Sequence, residues 1–258
     1  TELGSYYLTD NLRVPEGCAG IEIAQGATVE LNGFNIQRDT TITAGAAIRI
    51  DTNANAAVRI MNGSVRLLPS GIVNGGIADR VSVEHVAFTN ITGDAVELGS
   101  ASVVRDCRFE AIDGSAIQAA GQSTVERVVA VSCGLVSGSA IDLGGVSRIT
   151  DSIIVDAGGD ALTVGRQAVI SHVQIENPVG AGITATNRAR ISDTSVHGGQ
   201  SDGMRLGQSA FVSNSVLLGN AGFGAVITTS GAGFPSFAKF TDCQFLNNAA
   251  GGVVGFSA

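Results

Sequence analysis

From Val83 to Leu217 the chain repeats itself, and no other feature constrains its fold so tightly. Six-residue blocks align without gaps: VEHVAF from Val83, VRDCRF from Val104, VERVVA from Val125, ITDSII from Ile149, ISHVQI from Ile170, ISDTSV from Ile191 and VSNSVL from Val212. Successive starts are 21 residues apart, with one 24-residue step between Val125 and Ile149. A second block follows each of the first six: DAVEL from Asp94, SAIQA from Ser115, SAIDL from Ser139, DALTV from Asp160, AGITA from Ala181 and DGMRL from Asp202. Short β-rich runs at a fixed period cannot bury their apolar sides alone. They do so by stacking on their neighbours, which makes a solenoid.

The positions within each block divide by chemistry. The first, fourth and sixth residues of the hexad are apolar or small, as in Val83, Val86 and Phe88, Val104, Cys107 and Phe109, or Ile170, Val173 and Ile175. Position three breaks the alternation, so the strand must turn there. In the second block Val96, Ile117, Ile141, Leu162, Ile183 and Met204 form another inward row, followed two residues later by Leu98, Leu143, Val164 and Leu206. Two or three short parallel strands per coil, with no helical period between them, specify an all-β, single-domain parallel β-helix of roughly ten to eleven coils rather than a βαβ fold. The crossover rule makes it right-handed.

Composition agrees. The chain has 35 Gly, no Trp and 15% charged residues. Glycine this abundant without a three-residue period excludes collagen, and the Val, Ile and Leu content excludes disorder. No apolar run is long enough for a membrane span. A net charge of -8, with 15 Lys and Arg spread along the sequence, argues against a nucleic-acid partner. The same charge repels an acidic polysaccharide unless divalent cations bridge the two. The chain begins at Thr1 with no basic and apolar leader, so a signal peptide is expected to have been removed or never present.

Residues 1–19 do not match the repeat and are expected to cap the open end of the stack, with Tyr6, Tyr7 and Leu8 as a covering strand and residues 20–258 forming the β-helix. Asn-Gly pairs at Asn32, Asn62 and Asn74 mark corners, because Asn and Gly tolerate positive φ. After Leu217 the step to the next hexad, at Phe240, grows to 28 residues, which places a long loop at 228–239. Its Phe234, Pro235 and Phe237 fold against the side of the stack or wall a binding site. The ending GGVVGFSA has no polar cap, so the last coil is either trimmed or covered by a partner, as in an oligomer.

The four cysteines are expected to be free thiols acting as small hydrophobes. Cys107 and Cys243 share an inward row but lie about 29 Å apart at the parallel-strand spacing, far beyond disulfide reach. No Cys/His spacing suggests a metal site.

The opening YYLTDNLRV, the GIEIA and VELNGFNI segments and the repeated hexads with their GxAI-type coils resemble the right-handed parallel β-helix, pectin-lyase-like proteins of bacteria and phages. The resemblance covers nearly the whole chain as an architecture. It implies a scaffold shared by many chemistries and by non-catalytic proteins. It also implies that an extended sugar chain would lie along an outward strand face, with carboxylates and an Arg or Lys at its centre. The sequence departs from the catalytic signatures of pectate-lyase-like, polygalacturonase-like and alginate-epimerase-like members: it has no DPH, GHG, paired DD or RIK run, and HGG at His197 is only a partial echo.

Two polar rows are candidates for chemistry. The first is hexad position three: His85, Asp106, Arg127, Asp151, His172, Asp193, Asn214 and Asp242. Stacked, it imitates an acid/base cluster, but Asn, Asp and His are also the residues that best tolerate a left-handed corner, and the corner reading is preferred. The second is the outward row Glu97, Gln118, Asp142, Thr163, Thr184 and Arg205, extended upstream by Glu22, Arg49 and Val73. Beside it, the small residues Ala95, Ala116, Ala140, Ala161, Gly182 and Gly203 are expected to face outward and form a trough.

Glu97, Asp142 and Arg205 are the catalytic candidates. Asp160, Asp202, Gln118, Thr163 and Thr184 are the substrate-binding ones. Glu97 and Asp142 would stand near 10 Å apart, just beyond the separation usual for an inverting glycosidase pair. The expected function is an extracellular, secreted or cell-surface, carbohydrate-binding or carbohydrate-active β-helix of lyase, epimerase or hydrolase type. The alternative is a non-catalytic structural or adhesive module of a surface or phage-tail protein. No metal or cofactor is expected, other than Ca2+ as a bridge to an acidic glycan.

Overall fold

The structure is a computed structural model describing residues 4–38, 43–51, 57–75, 79–136, 138–228 and 237–255. Its regular elements are strands, and all the strand pairs among the described residues are parallel. Each residue of a coil lies over its equivalent one repeat away: Val104 pairs with Val83 below and Val125 above. The 24-residue step between Val125 and Ile149 is absorbed without loss of register.

An 8-stranded sheet runs from Glu97–Leu98 to Gly251–Gly255. A 3-stranded sheet of Ala19–Ile23, Ala46–Ile50 and Ser70–Asn74 continues it upstream through the Ile72–Val96 bridge. The remaining two faces count as one 18-stranded sheet, because strands such as Val81–Ile91 and Val169–Glu176 pass through the corner between them without a break.

That corner is hexad position three. His85, Asp106, Arg127, Asp151, His172, Asp193, Asn214 and Asp242 all have φ between 49° and 54°. One left-handed residue turns a strand sharply, and repetition at the same register turns every coil at the same place. Two further left-handed rows complete each coil, one including Asn90, Asp156 and Asn177, the other Gln122, Gln167 and Arg188. Asn32 and Asn62 also adopt positive φ, whereas Asn74 ends a strand without doing so.

The core is a stack of like on like. Val83, Val104, Ile149 and Ile170 are buried, as are Phe88 and Phe109, whose rings stack with centroids 4.9 Å apart and planes 3° from parallel. All four cysteines are free, with Cys107 and Cys133 buried in the inward rows. Burial pushes both of these thiols up to about 12.

The small-residue row does not face outward. Ala95, Ala116, Ala140 and Ala161 are completely buried, and Gly182 and Gly203 are buried as well. The chain enters the coil at this point, against the interior row that holds Val196 and Leu217. A Cβ added at Gly182 would lie 2.3 Å from Val196 Cγ1, and one at Gly203 would lie 2.6 Å from Leu217 Cδ2. These positions are small because the second face fills the space in front of them, so the expected trough between two outward rows is a single outward row.

Near the N-terminus, Gly4–Tyr7 pairs with Ala27–Glu30, and Leu12–Val14 pairs with Asn35–Arg38. Most of the 228–239 loop, with Phe234 and Pro235, lies outside the described residues; Phe237 is 53% exposed.

Candidate functional site

The outward row of the 8-stranded sheet is continuous. Glu97 lies beside Gln118, Gln118 beside Asp142, Asp142 beside Thr163, Thr163 beside Thr184 and Thr184 beside Arg205. Upstream, Glu22, Arg49 and Val73 hold the equivalent places. The side chains of this row alternate with buried Ile, Leu and Val, so the strand period points them all at solvent.

A second polar row starts each of these strands, and it is structurally committed. Asp94 Oδ1 accepts a hydrogen bond from Ser115 N at 2.7 Å, and Asp160 Oδ1 accepts one from Ala181 N at 2.7 Å. Asp202 Oδ1 does the same for Phe223 N at 2.9 Å. These carboxylates tie one coil to the next. Their second oxygens are used too: Asp160 Oδ2 accepts from Thr184 Oγ1 at 2.7 Å, and Asp202 Oδ2 accepts from Arg205 Nε at 2.9 Å. Arg205 also donates through Nη2 to Ser201 Oγ at 2.8 Å.

Glu97 and Asp142 differ from these. Both are half-buried, and neither has a hydrogen bond or ion pair among the described residues. Burial raises the Glu97 carboxyl above its ordinary value, and the neighbouring Asp94 charge adds to the rise. Burial alone raises Asp142. With only Gln118 between them, they stand two rungs apart, about 9.6 Å along the backbone. Arg205 is three rungs beyond Asp142, about 14 Å away, and so does not join the pair.

The position-three row gathers charge without the features of a site. Arg127 forks onto Asp106, His85 Nε2 lies 3.7 Å from Asp106 Oδ2, and His172 Nδ1 lies 3.9 Å from Asp151 Oδ1. His172, Asp193 and Asn214 of the row line a cavity of about 380 Å³, while their backbones all stand at the left-handed corner.

Sequence reading missed Glu84, which is 4% exposed. Arg59 Nε and Nη2 donate to its two oxygens at 3.1 and 2.7 Å, while Arg105 Nη2 donates at 2.7 Å and Ser82 Oγ at 2.6 Å. The Arg59 hydrogen bond chiefly holds its carboxyl down at about 2, with Ser82 and Arg105 assisting against burial. The row Glu30, Met61, Glu84 and Arg105 was readable from the repeat, but only packing shows that the carboxylate is covered. No group of three or more His, Cys, Asp and Glu that could hold a metal ion occurs among the described residues. Among the described residues no helix is long and apolar enough to cross a membrane.

The family described as the right handed beta helix region matches residues 131–258. No curated protein matches the chain. Among solved structures it is similar to the catalytic domain of a GH87 α-1,3-glucanase in complex with tetrasaccharides, with a TM-score of 0.67, 11% identity and coverage of 96% of this chain and 61% of that one. The GH87 α-1,3-glucanase catalytic domain in complex with nigerose gives a TM-score of 0.65 at 11% identity, again over 96% and 61%. The catalytic unit of the thermostable GH87 α-1,3-glucanase from Streptomyces thermodiastaticus strain HF3-3 gives 0.61 at 13%, over 95% and 60%. The chain therefore spans about three-fifths of the length of these domains. At such identities the likeness is one of fold. Together with the parallel stack and the family match over residues 131–258, it makes the fold of the chain a right-handed parallel β-helix.

Proposed function

We propose that the chain is a carbohydrate-active β-helix that holds an extended, neutral polysaccharide along the row from Glu97 to Arg205 and cleaves it with inversion. The observation that carries this reading is the pair Glu97 and Asp142: two carboxyls on one row, two rungs apart, each raised by burial and each without an internal partner. Structural carboxylates in this protein are bonded across coils. These two are left free for a ligand, and raised carboxyls are what general acid/base work at moderate pH requires.

Glu97, raised further by Asp94, is the acid that gives its proton to the glycosidic oxygen as the C–O bond breaks. Asp142, as carboxylate, takes a proton from a water whose oxygen bonds to the anomeric carbon from the opposite side. The two-rung spacing of about 9.6 Å lies just beyond the inverting range of about 6.5–9.5 Å, and the length of the Glu97 side chain allows a shorter carboxyl separation. Gln118, Thr163 and Thr184 supply hydrogen bonds to sugar hydroxyls on either side, and Arg205 binds the chain three rungs beyond Asp142. The acidic row favours a neutral chain over a uronate one. The proposed setting is extracellular or at a cell surface, where such polymers are met.

A glycan array spanning neutral and acidic polymers, followed by product analysis on the hits, tests this reading. Capture and cleavage of a neutral glucan, with cleavage lost in Asp142→Ala, supports it. No binding or turnover on any polymer overturns it in favour of a non-catalytic adhesive or structural solenoid.

A further inference from the structure

The acidic protein carries one basic groove, set at the turn that follows the strand face. The turns 165–171, 186–192 and 207–213 stack on one another and contain Arg166, Arg188 and Arg190 but no Asp or Glu. Arg188 stands at a left-handed corner with φ 63°, which throws its side chain clear of the stack. On the strand that follows, the outward row reads Arg148, Val169, Arg190, Phe211 and Lys239 on successive rungs. Arg148, Arg190 and Lys239 are thus two rungs apart in turn, about 9.6 Å each.

These five cations are exposed, and none of their side chains forms an ion pair or a hydrogen bond among the described residues. That is unlike Arg59, Arg105, Arg108, Arg127 and Arg205, which all face a carboxylate. The nearest acids along the same strands, Asp151, Asp193 and Asp242, stand at the next corner and reach none of the five.

The groove is a shaped site as well as a charged one. A cavity of about 410 Å³ is lined by Arg166, Arg188, Gln208 and Phe237, and it adjoins one of about 450 Å³ that adds Arg190 and Phe211. Gln208 Nε2 is a buried donor with no acceptor among the described residues. Phe211 and Phe237 are 47% and 53% exposed. Unpaired cations, a waiting amide donor and two exposed rings make a site for a chain bearing both negative charge and apolar ring faces.

We propose that this groove binds an anionic polysaccharide, one carrying carboxylate or sulfate groups along its length, and anchors the protein on a charged glycan while the strand face works on a neutral one. The proposal takes from the preceding section only that the ligand is a glycan. Nucleic acid is disfavoured because a strand carries a charge about every 3.4 Å, far denser than cations spaced about 9.6 Å apart on this row.

The test uses immobilised heparin, polygalacturonate and a neutral dextran, with oligothymidylate as the polyphosphate. The unmodified protein should be captured by at least one of the two glycan polyanions, and not by dextran through this groove. That capture should weaken about tenfold or more between 50 and 200 mM salt. Which polyanion is captured distinguishes sulfate from carboxylate. Arg188→Asn with Arg190→Gln should weaken capture at least tenfold; Asn keeps a residue suited to the left-handed backbone, and circular dichroism checks the fold. Phe211→Ala should weaken it by a smaller factor, while Arg108→Ala, on another face, should leave it unchanged. E97Q should also leave it unchanged, so a failure of the cleavage reading and a failure of the groove register separately. Absence of capture by both glycan polyanions at 50 mM salt, capture indifferent to the double substitution, or tighter capture of oligothymidylate would overturn the proposal.

Discussion

Arg127 donates through Nε to Asp106 Oδ1 at 2.7 Å and through Nη2 to Asp106 Oδ2 at 2.9 Å, across adjacent coils at the same left-handed corner. This forked pair, with His85 beside it, has the composition of a catalytic cluster and the geometry of a bend. The bond lowers the Asp106 carboxyl, which keeps it charged rather than poised to exchange a proton. The distinction leads to the first prediction.

If the position-three row is a corner, substitutions there should sort by backbone tolerance and leave any activity alone. His172→Gly should lie within about 0.5 kcal/mol of the parent, because glycine adopts the φ of 53° without strain. His172→Val should cost about 1–2 kcal/mol, the penalty of placing a side chain of that kind in left-handed backbone. Urea unfolding of the two variants checks the order. Glycan turnover by His172→Gly equal to the parent's checks that the imidazole takes no part.

The inward small row predicts a steric limit. Gly182→Ala should destabilise by about 1–3 kcal/mol through overpacking, since the new Cβ would meet Val196 Cγ1 and also the Gly203 carbonyl. Were the row outward, the same change would be nearly silent. Thermal unfolding of Gly182→Ala alone and combined with Val196→Ala, which should recover part of the loss, tests the assignment.

The stacked interior predicts a large loss on truncation. Phe109→Ala should cost about 3–5 kcal/mol, because the ring is fully buried and stacked on Phe88. Guanidinium unfolding measures it.

Glu84 predicts an acid limb in stability. Its folded carboxyl is held at about 2, below its ordinary 4.5, so the carboxylate's contribution is complete above about pH 4.5 and is lost as pH falls toward 2. Glu84→Gln should lower the unfolding midpoint at neutral pH and flatten its decline across that window. Midpoints measured from pH 7 to pH 2 for both proteins provide the comparison.

The fold was legible in the sequence because its cause is local and repeated. One apolar pattern and one class of corner residue recur every 21 residues, so the rows Val83 to Val212 and His85 to Asp242 could be aligned before any coordinates were known. The outward row from Glu97 to Arg205 was legible for the same reason. Depth was not. Simple alternation suggested that Ala95 and Gly182 point outward, but both residues before the inward Val96 and Ile183 turn toward the core as the chain rounds the corner. Commitment was not legible either. Asp160 and Asp202 looked like ligands for a substrate, and only the hydrogen bonds show them spent on the next coil. Charge placement was the third gap: the 15 basic residues look scattered in one dimension, and stacking brings Arg166, Arg188 and Arg190 to one groove, with Arg148 and Lys239 on the same strand row.

The raised carboxyls of Glu97 and Asp142 predict a bell-shaped pH profile for kcat on a neutral glucan, both limbs displaced upward from ordinary carboxylate values. The alkaline limb belongs to loss of the Glu97 proton and the acid limb to protonation of Asp142. Asp142→Asn should therefore remove the acid limb from whatever activity remains, and Glu97→Gln the alkaline one.

The measurement that bears most directly on the central claim follows the anomeric proton of newly released ends by NMR during glucan cleavage, in the parent, E97Q and D142N. The expected result is release of the inverted anomer first by the parent, with turnover falling about 10²–10⁴-fold in either variant while glucan binding persists. Retention of configuration, or turnover undiminished in both variants, would contradict an acid and base set two rungs apart on this face.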